Sequence, residues 1–520
     1  MKSLLKTHPV LSCIQSLTYE EKLFGGDTEK IRSAMKQVSE KLAHQILLDF
    51  NEYRPVPRDP KILVVAGKGH NGGDALLAAH LLLRSRPRGE VQIWPVCEPD
   101  DFNPLTKEAF DALASENHCS VLSPGIESCE NLRMSKFDLC IDGVLGMQFR
   151  PPLSEEIAGM MDCLNQMKIG FRAAVDLPTG LARDGESGGF RADFTYATGI
   201  LKSPLLEKNS LEWTGRLRYL DIGFFDTRED QGDIPEWEGG QRVMTDAVLE
   251  DLRHLRHPDC DKRSFGHLMV IAGSTEMPGA ALLTVKAALR SGVGLVTAFV
   301  PESVAPSFAA AVPEAMWVPC EETEAGSLSL DCAHRLRRKL AKATALAIGP
   351  GMGTERETRA LVEELIRTTT VPLVLDADAL QQALVQKIKG PFVLTPHIGE
   401  FARLSSTLPE MVNPELLWNF TRQFGLNGAI VMKGPVTWVA ADKSLSMSPF
   451  GSSVLARAGS GDLLTGLIGG LLAQGYSAED ASRMGVVWHG LAGEHLARNR
   501  GHVSVSSSMI LNYLHEPIRP

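Results

Sequence analysis

Residues 62–74 read Ile-Leu-Val-Val-Ala-Gly-Lys-Gly-His-Asn-Gly-Gly-Asp: five apolar residues run straight into a glycine-rich turn. A short continuous apolar run fits a strand buried on both faces. The apolar spacing that follows, over Gly73–Arg84, is helical. Strand, turn and helix in that order open a parallel α/β sheet. The glycines also carry chemistry, because backbone amides at a helix N-terminus can close on an anion. Gly67, Gly69 and Gly72 satisfy G-x-G-x-x-G, with Glu98 or Asp100 after the next strand as a candidate ribose-binding acid. Lys68, Asn71 and Asp74 crowd the turn with polar groups that a close-packed dinucleotide turn does not need. A tight turn without a ligand is the plainer alternative.

Outward from this unit the pattern repeats. An amphipathic helix is predicted before it, over Thr28–Phe50, and strands follow at Val91–Val96, Phe137–Ile141 and Phe171–Val175. The segment Phe225–Gly240 is acidic, aperiodic and holds three glycines, which reads as a linker. A second series then begins, with apolar runs at His267–Ala272, Leu295–Val300, Ala345–Ile348, Pro372–Leu375, Pro391–Leu394 and Ala429–Met432. Helical patterns fill its gaps, as in Ala280–Arg290 and Glu355–Arg367. The expected organisation is two α/β domains, 1–225 and 241–520, joined by an acidic linker at 226–240.

Two further strands of the first series end in acids, at Asp142-Gly143-Val144-Leu145-Gly146 and at Asp176-Leu177-Pro178-Thr179-Gly180-Leu181. Carboxyl ends of parallel strands line the ligand crevice, so these acids are expected near the glycine turn. Oxygen ligands of the Asn, Asp and Thr types found in these turns suit a hard cation and not zinc. Each aspartate could equally cap its own turn.

The second series holds Ala458-Gly459-Ser460-Gly461-Asp462-Leu463-Leu464-Thr465-Gly466 before an apolar helix. Such a turn aims amides at a phosphate or a developing anion. Asp462 can take the proton of a hydroxyl being phosphorylated. Helix dipole and amides are expected to hold it at a low pKa, always ionised. A plain N-cap aspartate is the alternative. Gly349-Pro350-Gly351, Asp376-Ala377-Asp378, Thr395-Pro396-His397 and Lys433-Gly434-Pro435-Val436-Thr437 close four other strands. Singly these are ordinary loop residues; together at one sheet edge they argue for a site.

At this point the first half resembles the NAD(P)H-hydrate epimerase domain, through Gly67–Asp74, Asp142–Gly146, Asp176–Leu181, Ala192–Thr195 and Lys202. That resemblance implies a Rossmann-like three-layer parallel sheet. It implies that His70, Asn71, Gly72, Gly73, Asp74, Gly146 and Asp176 bind the hydrated nucleotide. Asp176 would be catalytic, and Asn71, Asp142 and Thr179 would hold a potassium ion. His70 stands where that family usually has Asn, Ala75 where it often has Gly, and Gln37-Val38 where it has Ala-Gly.

From about Lys262 onward the chain resembles the ribokinase-like superfamily, and within it the ADP- or ATP-dependent NAD(P)H-hydrate dehydratases. The implied fold is a ribokinase-like α/β/α domain. By that resemblance Lys433, Gly434, Pro435, Val436, Thr437 and Gly461 bind ADP or ATP with Mg²⁺. Ala280, Gly351 and His397 contact the hydrate, and Asp462 acts on its hydroxyl. The two halves in one chain are similar to bifunctional NAD(P)H-hydrate repair enzymes, which epimerise NADHX and NADPHX and dehydrate the S epimer through a phosphate ester. The other reading is a small-alcohol kinase, of vitamin or sugar type, with a non-catalytic nucleotide-binding N-terminal half.

Composition narrows the alternatives. The 520 residues are 44% hydrophobic, with 53 basic against 63 acidic side chains and a formal charge of −10. Nothing here provides the basic stripe of a nucleic-acid binder. Gly279–Val300 carries Lys286 and Arg290, too polar for a membrane span. Met1–Val10 lacks the apolar core of a secretion leader. A cytoplasmic homo-oligomer is expected. Nine cysteines with no Cys-x-x-Cys pair predict neither structural zinc nor a disulfide scaffold, and mostly reduced thiols.

Overall fold

The computed structural model describes residues 6–182, 188–225 and 240–519. They divide into two compact units, Met1–Glu236 and Trp237–Pro520. Residues 226–239 of the expected linker lie outside the described residues.

In the first unit β1 (Thr7–Leu11) precedes the helices Cys13–Phe24 and Thr28–Tyr53. Asp27 caps the second of these by accepting from the amides of Glu29 and Lys30, a contact contributing about 1 kcal/mol. Then come β2 (Lys61–Ala66), β3 (Glu90–Pro95), β4 (Cys119–Val121), β5 (Lys136–Gly143) and β6 (Lys168–Val175). Last are β7 (Phe194–Thr198), β8 (Leu201–Lys202) and β9 (Arg216–Leu220). Seven strands form one sheet in the order β4-β3-β2-β5-β6-β7-β9, with all neighbours parallel. β1 pairs with β8, also in parallel.

The uninterrupted apolar run of β2 has a physical cause. Ile62, Val64 and Ala66 enter the core on one face, and Leu63 and Val65 enter the core on the other. Period-two alternation makes both faces apolar when both are covered. Each large side chain so buried contributes about 1.5–3 kcal/mol.

The second unit runs through β10 (Gln241–Met244), β11 (His267–Ile271), β12 (Leu295–Pro301), β13 (Met316–Cys320), β14 (Ala345–Ile348) and β15 (Leu373–Leu375). It continues with β16 (Phe392–Leu394), β17 (Gly428–Met432), β18 (Thr437–Ala441) and β19 (Ser444–Ser448). The order is β13-β12-β11-β14-β15-β16-β17-β18-β19-β10. In this sheet β17, β18 and β19 are antiparallel neighbours, and β18 and β19 are not among the six apolar runs read from the sequence. Short turns join them, and a parallel connection needs a dozen or more residues.

Most of the cysteines are reduced thiols, as expected, with one pair that the sequence reading did not single out. Cys129 and Cys163 are joined in a disulfide, while seven others are free. Their separation of 34 residues matches no short spacing motif, so sequence alone offered no signal for the pair.

Candidate functional site

In the first unit the strand ends meet a cavity of about 510 Å³, within the range of small-molecule sites. β2 delivers the turn Gly67–Gly69, and the helix His70–Ser85 starts directly from it. Gly67 admits no side chain, since a Cβ there would lie 2.0 Å from the Val144 carbonyl oxygen. This close approach sets the two turns side by side. Lys68, His70, Asn71, Asp74, Gly146 and Asp176 all line the cavity.

Asp176 follows β6 and is buried at φ +64°, a left-handed conformation rare outside glycine. Such backbone persists where surrounding contacts enforce it. Its Oδ1 accepts from Lys202 Nζ at 2.5 Å, from Thr198 Oγ1 at 3.2 Å and from the Thr198 amide at 3.3 Å. Lys202 is itself 1% exposed. The helical side of the cavity is apolar, with Leu17, Phe24, Ile31, Met35 and Val38. Burial, then the charges of Asp176 and Glu20, push the Asp74 carboxyl well above its usual range. Among the described residues its Oδ1 has no hydrogen-bond partner.

Asp142 and Thr179 are buried and are not among the residues lining the cavity. Thr179 Oγ1 donates to Asp142 Oδ1 at 2.7 Å and accepts from the Leu145 amide at 3.0 Å. Asn71 Nδ2 donates to the Leu145 carbonyl at 3.1 Å. The three predicted oxygen donors thus surround one turn. Burial raises Asp142 to about 6, against the hydrogen bonds from Thr179 and Val144. Gly72 and Gly73 are buried under the helix start, Gly72 against Gly67 and Gly73 against Met35.

Sequence reasoning missed Glu20 and Thr198, which line the same cavity, and gave Lys202 no role of its own. Glu20 comes from the helix Cys13–Phe24, far from any glycine motif. No local pattern marks it.

In the second unit Asp462 lies in the first turn of the helix Ser460–Ala473. Burial, then Asp376 and Asp378, raise its carboxyl to about 6 despite the opposing charge of Lys433. This corrects the expectation of a low value: desolvation and neighbouring acids outweigh the amides. Lys433 Nζ donates to Asp376 Oδ1 at 2.8 Å, and Thr465 Oγ1 donates to Asp376 Oδ2 at 2.7 Å. Burial works against ionising Asp376, yet Lys433 and these donors hold its carboxyl below the usual range. A Cβ on Gly461 would sit 3.3 Å from Lys433 Nζ, which fixes that amide-rich turn beside the lysine.

Lys433–Thr437 spans the turn from β17 to β18. Its Lys433 amide donates to the Pro396 carbonyl at 2.8 Å, bringing His397 alongside. His397 caps the helix Ile398–Leu404, its Nδ1 accepting from the Glu400 amide at 3.2 Å, while the ring is half exposed. Gly351 has φ +61°, and a Cβ there would approach Ala280 Cβ to 2.8 Å. Ala280 and Gly351 are therefore adjacent. Asp378 Oδ2 accepts from the Gly353 amide at 2.9 Å. His489, buried and pushed down to about 4 by burial and Lys433, contacts Ser460 Oγ at 3.2 Å.

Two family descriptions match the chain. Residues 31–203 match the YjeF-related protein N-terminus, and residues 268–516 match NAD(P)H-hydrate dehydratase. The bifunctional NAD(P)H-hydrate repair enzyme of Moorella thermoacetica is 33% identical over 470 residues, spanning 87% of this chain and 86% of that protein. The enzyme of the same description from Gloeobacter violaceus is 34% identical over 497 residues, 92% of each. Among solved structures, the Bacillus subtilis ADP/ATP-dependent NAD(P)H-hydrate dehydratase co-crystallised with ATP and Mg²⁺ is 28% identical. It covers 52% of this chain and 95% of that one at a TM-score of 0.44. With both matches in order, and identities above 30% along most of its length, the chain belongs to the family of bifunctional NAD(P)H-hydrate repair enzymes.

Proposed function

We propose that the first unit interconverts the epimers of hydrated NADH and NADPH, and that the second dehydrates the S epimer using ADP or ATP. The observation that carries this reading is Asp462, raised to about 6 beside the Lys433–Asp376 pair at the start of an amide-rich helix. A carboxylate near that value can take the hydroxyl proton as a phosphoryl group arrives. In this reading Lys433, Gly434, Pro435, Val436, Thr437 and Gly461 hold the nucleotide. Ala280, Gly351 and His397 hold the hydrated ring. The nucleotide's phosphoanhydride breaks and a phosphate ester forms. Phosphate then leaves with its C–O pair, a neighbouring carbon loses a proton, and the ring double bond returns. Mg²⁺ bound with the nucleotide would offset its charge, and Asp378 offers a hard oxygen for it.

In the first unit His70, Asn71, Gly72, Gly73, Asp74 and Gly146 would position the nucleotide. Asp176 Oδ2 would face the hydroxyl-bearing carbon while Oδ1 fixes Lys202. The all-oxygen set of Asn71, Asp142 and Thr179 fits K⁺, whose charge would favour an ionised Asp142. Epimer exchange that persists when K⁺ is replaced by tetramethylammonium would overturn that assignment. The reading extends to domains at 1–225 and 241–520 and to a symmetric cytoplasmic homo-oligomer, checked by light scattering.

The test of function follows absorbance at 340 nm after adding the protein to mixed NADHX epimers with ADP, ATP and Mg²⁺. Full conversion by the wild type, abolished in Asp462→Asn, is the expected result. A stable phosphorylated product without NADH would mean a small-alcohol kinase instead.

A further inference from the structure

The first unit's cavity holds an acid that no strand-end motif supplies. Glu20 reaches it from the helix Cys13–Phe24, half buried, on the otherwise apolar helical wall. A carboxyl among Leu17, Phe24 and Met35 would be an unfavourable choice for packing alone. The groups sharing its cavity are Lys202 and Asp176 at the strand ends, Asp74 in the helix His70–Ser85, and Lys68 and His70 beside it. Asp176 is already engaged. Its Oδ1 accepts from three donors, one of them the buried Lys202.

The chemistry needs one group that can take and return a proton. Water adds to an enamine double bond with its oxygen on the carbon beside nitrogen. The epimeric carbon of such a hydrate therefore carries both a hydroxyl and the ring nitrogen. Inverting it requires the ring to open and reclose, as in the mutarotation of a sugar. Resting on the epimerase reading above, we infer that Glu20 is a further catalytic residue: the base that takes the hydroxyl proton and gives it back. As the proton moves to Glu20, the O–H pair becomes the second carbon–oxygen bond. The carbon–nitrogen bond breaks, its pair passing to nitrogen and into the conjugated carboxamide, with Lys202 supplying positive charge in the cavity. Rotation about the neighbouring carbon–carbon bond presents the other carbonyl face. Nitrogen re-adds, the π pair returns to oxygen, and Glu20 protonates it. No co-reactant is consumed.

The environment suits that task. Burial raises Glu20 to about 7, with Lys202 opposing and Asp176 reinforcing the shift. The group is then a base above about pH 7 and an acid below it, matched to moving a proton both ways near neutrality.

The experiment starts from the isolated R epimer of NADHX, without adenine nucleotide, and follows formation of the S epimer by chromatography between pH 5.5 and 8.5. The wild-type rate is expected to rise with pH through about 7, where Glu20 loses its proton. In Glu20→Gln kcat should fall about 10²–10⁴-fold and lose that pH dependence, with KM little changed. Glu20→Asp should retain a pH-dependent rate, which separates proton transfer from a failure to fold. A Glu20→Gln chain with near wild-type kcat, or with the same pH inflection, overturns the assignment. So does a loss confined to KM, or an Asp variant as inactive as the Gln variant. Absence of exchange in the wild type itself overturns the epimerase reading and this inference with it.

Discussion

Asp462 and Glu20 share a physical setting: each is a carboxyl raised by burial in a site that also holds a lysine–aspartate pair. Their legibility in the sequence was opposite. Asp462 sits in a glycine turn before an apolar helix, so its place at a helix N-terminus could be read locally. Its protonation could not, because Asp376 and Asp378 arrive from β15, many residues earlier. Glu20 could not be read at all, since one acid on an amphipathic helix looks like any solvated residue. The raised value of Asp462 yields a prediction with a definite sign. A base with a pKa of about 6 is ionised above that pH and lost below it. Dehydration of the S epimer at saturating nucleotide should therefore be level above about pH 7 and fall roughly tenfold per unit below about pH 5. A rate unchanged down to pH 4.5 would restore the low value that amides alone imply.

At the scale of elements, the strands that carry the site were the ones the sequence exposed most clearly. β2, β5, β6, β14, β15 and β17 are short apolar runs because both faces are covered, and their ends break into Gly, Asp or Lys where ligand chemistry begins. Strands such as β4 and β19 lacked that signal: β4 has an exposed end, and β19 alternates serine with apolar residues. The helix Ser460–Ala473 behaves differently again. It is apolar nearly all round, and its glycines let it lie against the helix Pro278–Arg290. A Cβ on Gly466 would stand 2.2 Å from the Thr284 carbonyl oxygen and 2.9 Å from Ala287 Cβ. Backbone cannot yield as a side chain does, so Gly466→Ala should destabilise the second unit by about 1–3 kcal/mol. Asp462 lies one turn away on the same helix, so dehydratase kcat should fall as well. Urea unfolding followed through Trp488, buried in that unit's core, checks the first effect; unchanged stability would mean the helices separate freely.

For the whole molecule, two sites on one chain pose a question of traffic. Each described site is built by its own unit: the cavity with Asp176 and Lys202 by residues before Glu236, and the Asp462–Lys433–Asp376 set by residues after Trp237. Neither site borrows a named residue from the other unit. If the R and S epimers are exchanged through solution, the two functions need not share a chain. An Asp176→Asn chain would keep a working dehydratase, and an Asp462→Asn chain a working epimerase. Alone with mixed epimers, ATP and Mg²⁺, the first should convert the S epimer quickly and then slow to the spontaneous rate of epimerisation. The second should produce no NADH. Mixed in equal amounts, they should carry the reaction to completion, with a final 340 nm absorbance equal to that of the wild type. The rate in the mixture should rise with the concentration of either variant, because the S epimer must leave one molecule and find another. A mixture that stops where Asp176→Asn alone stops, although each variant retains its remaining activity, would mean that the epimer passes within a single chain.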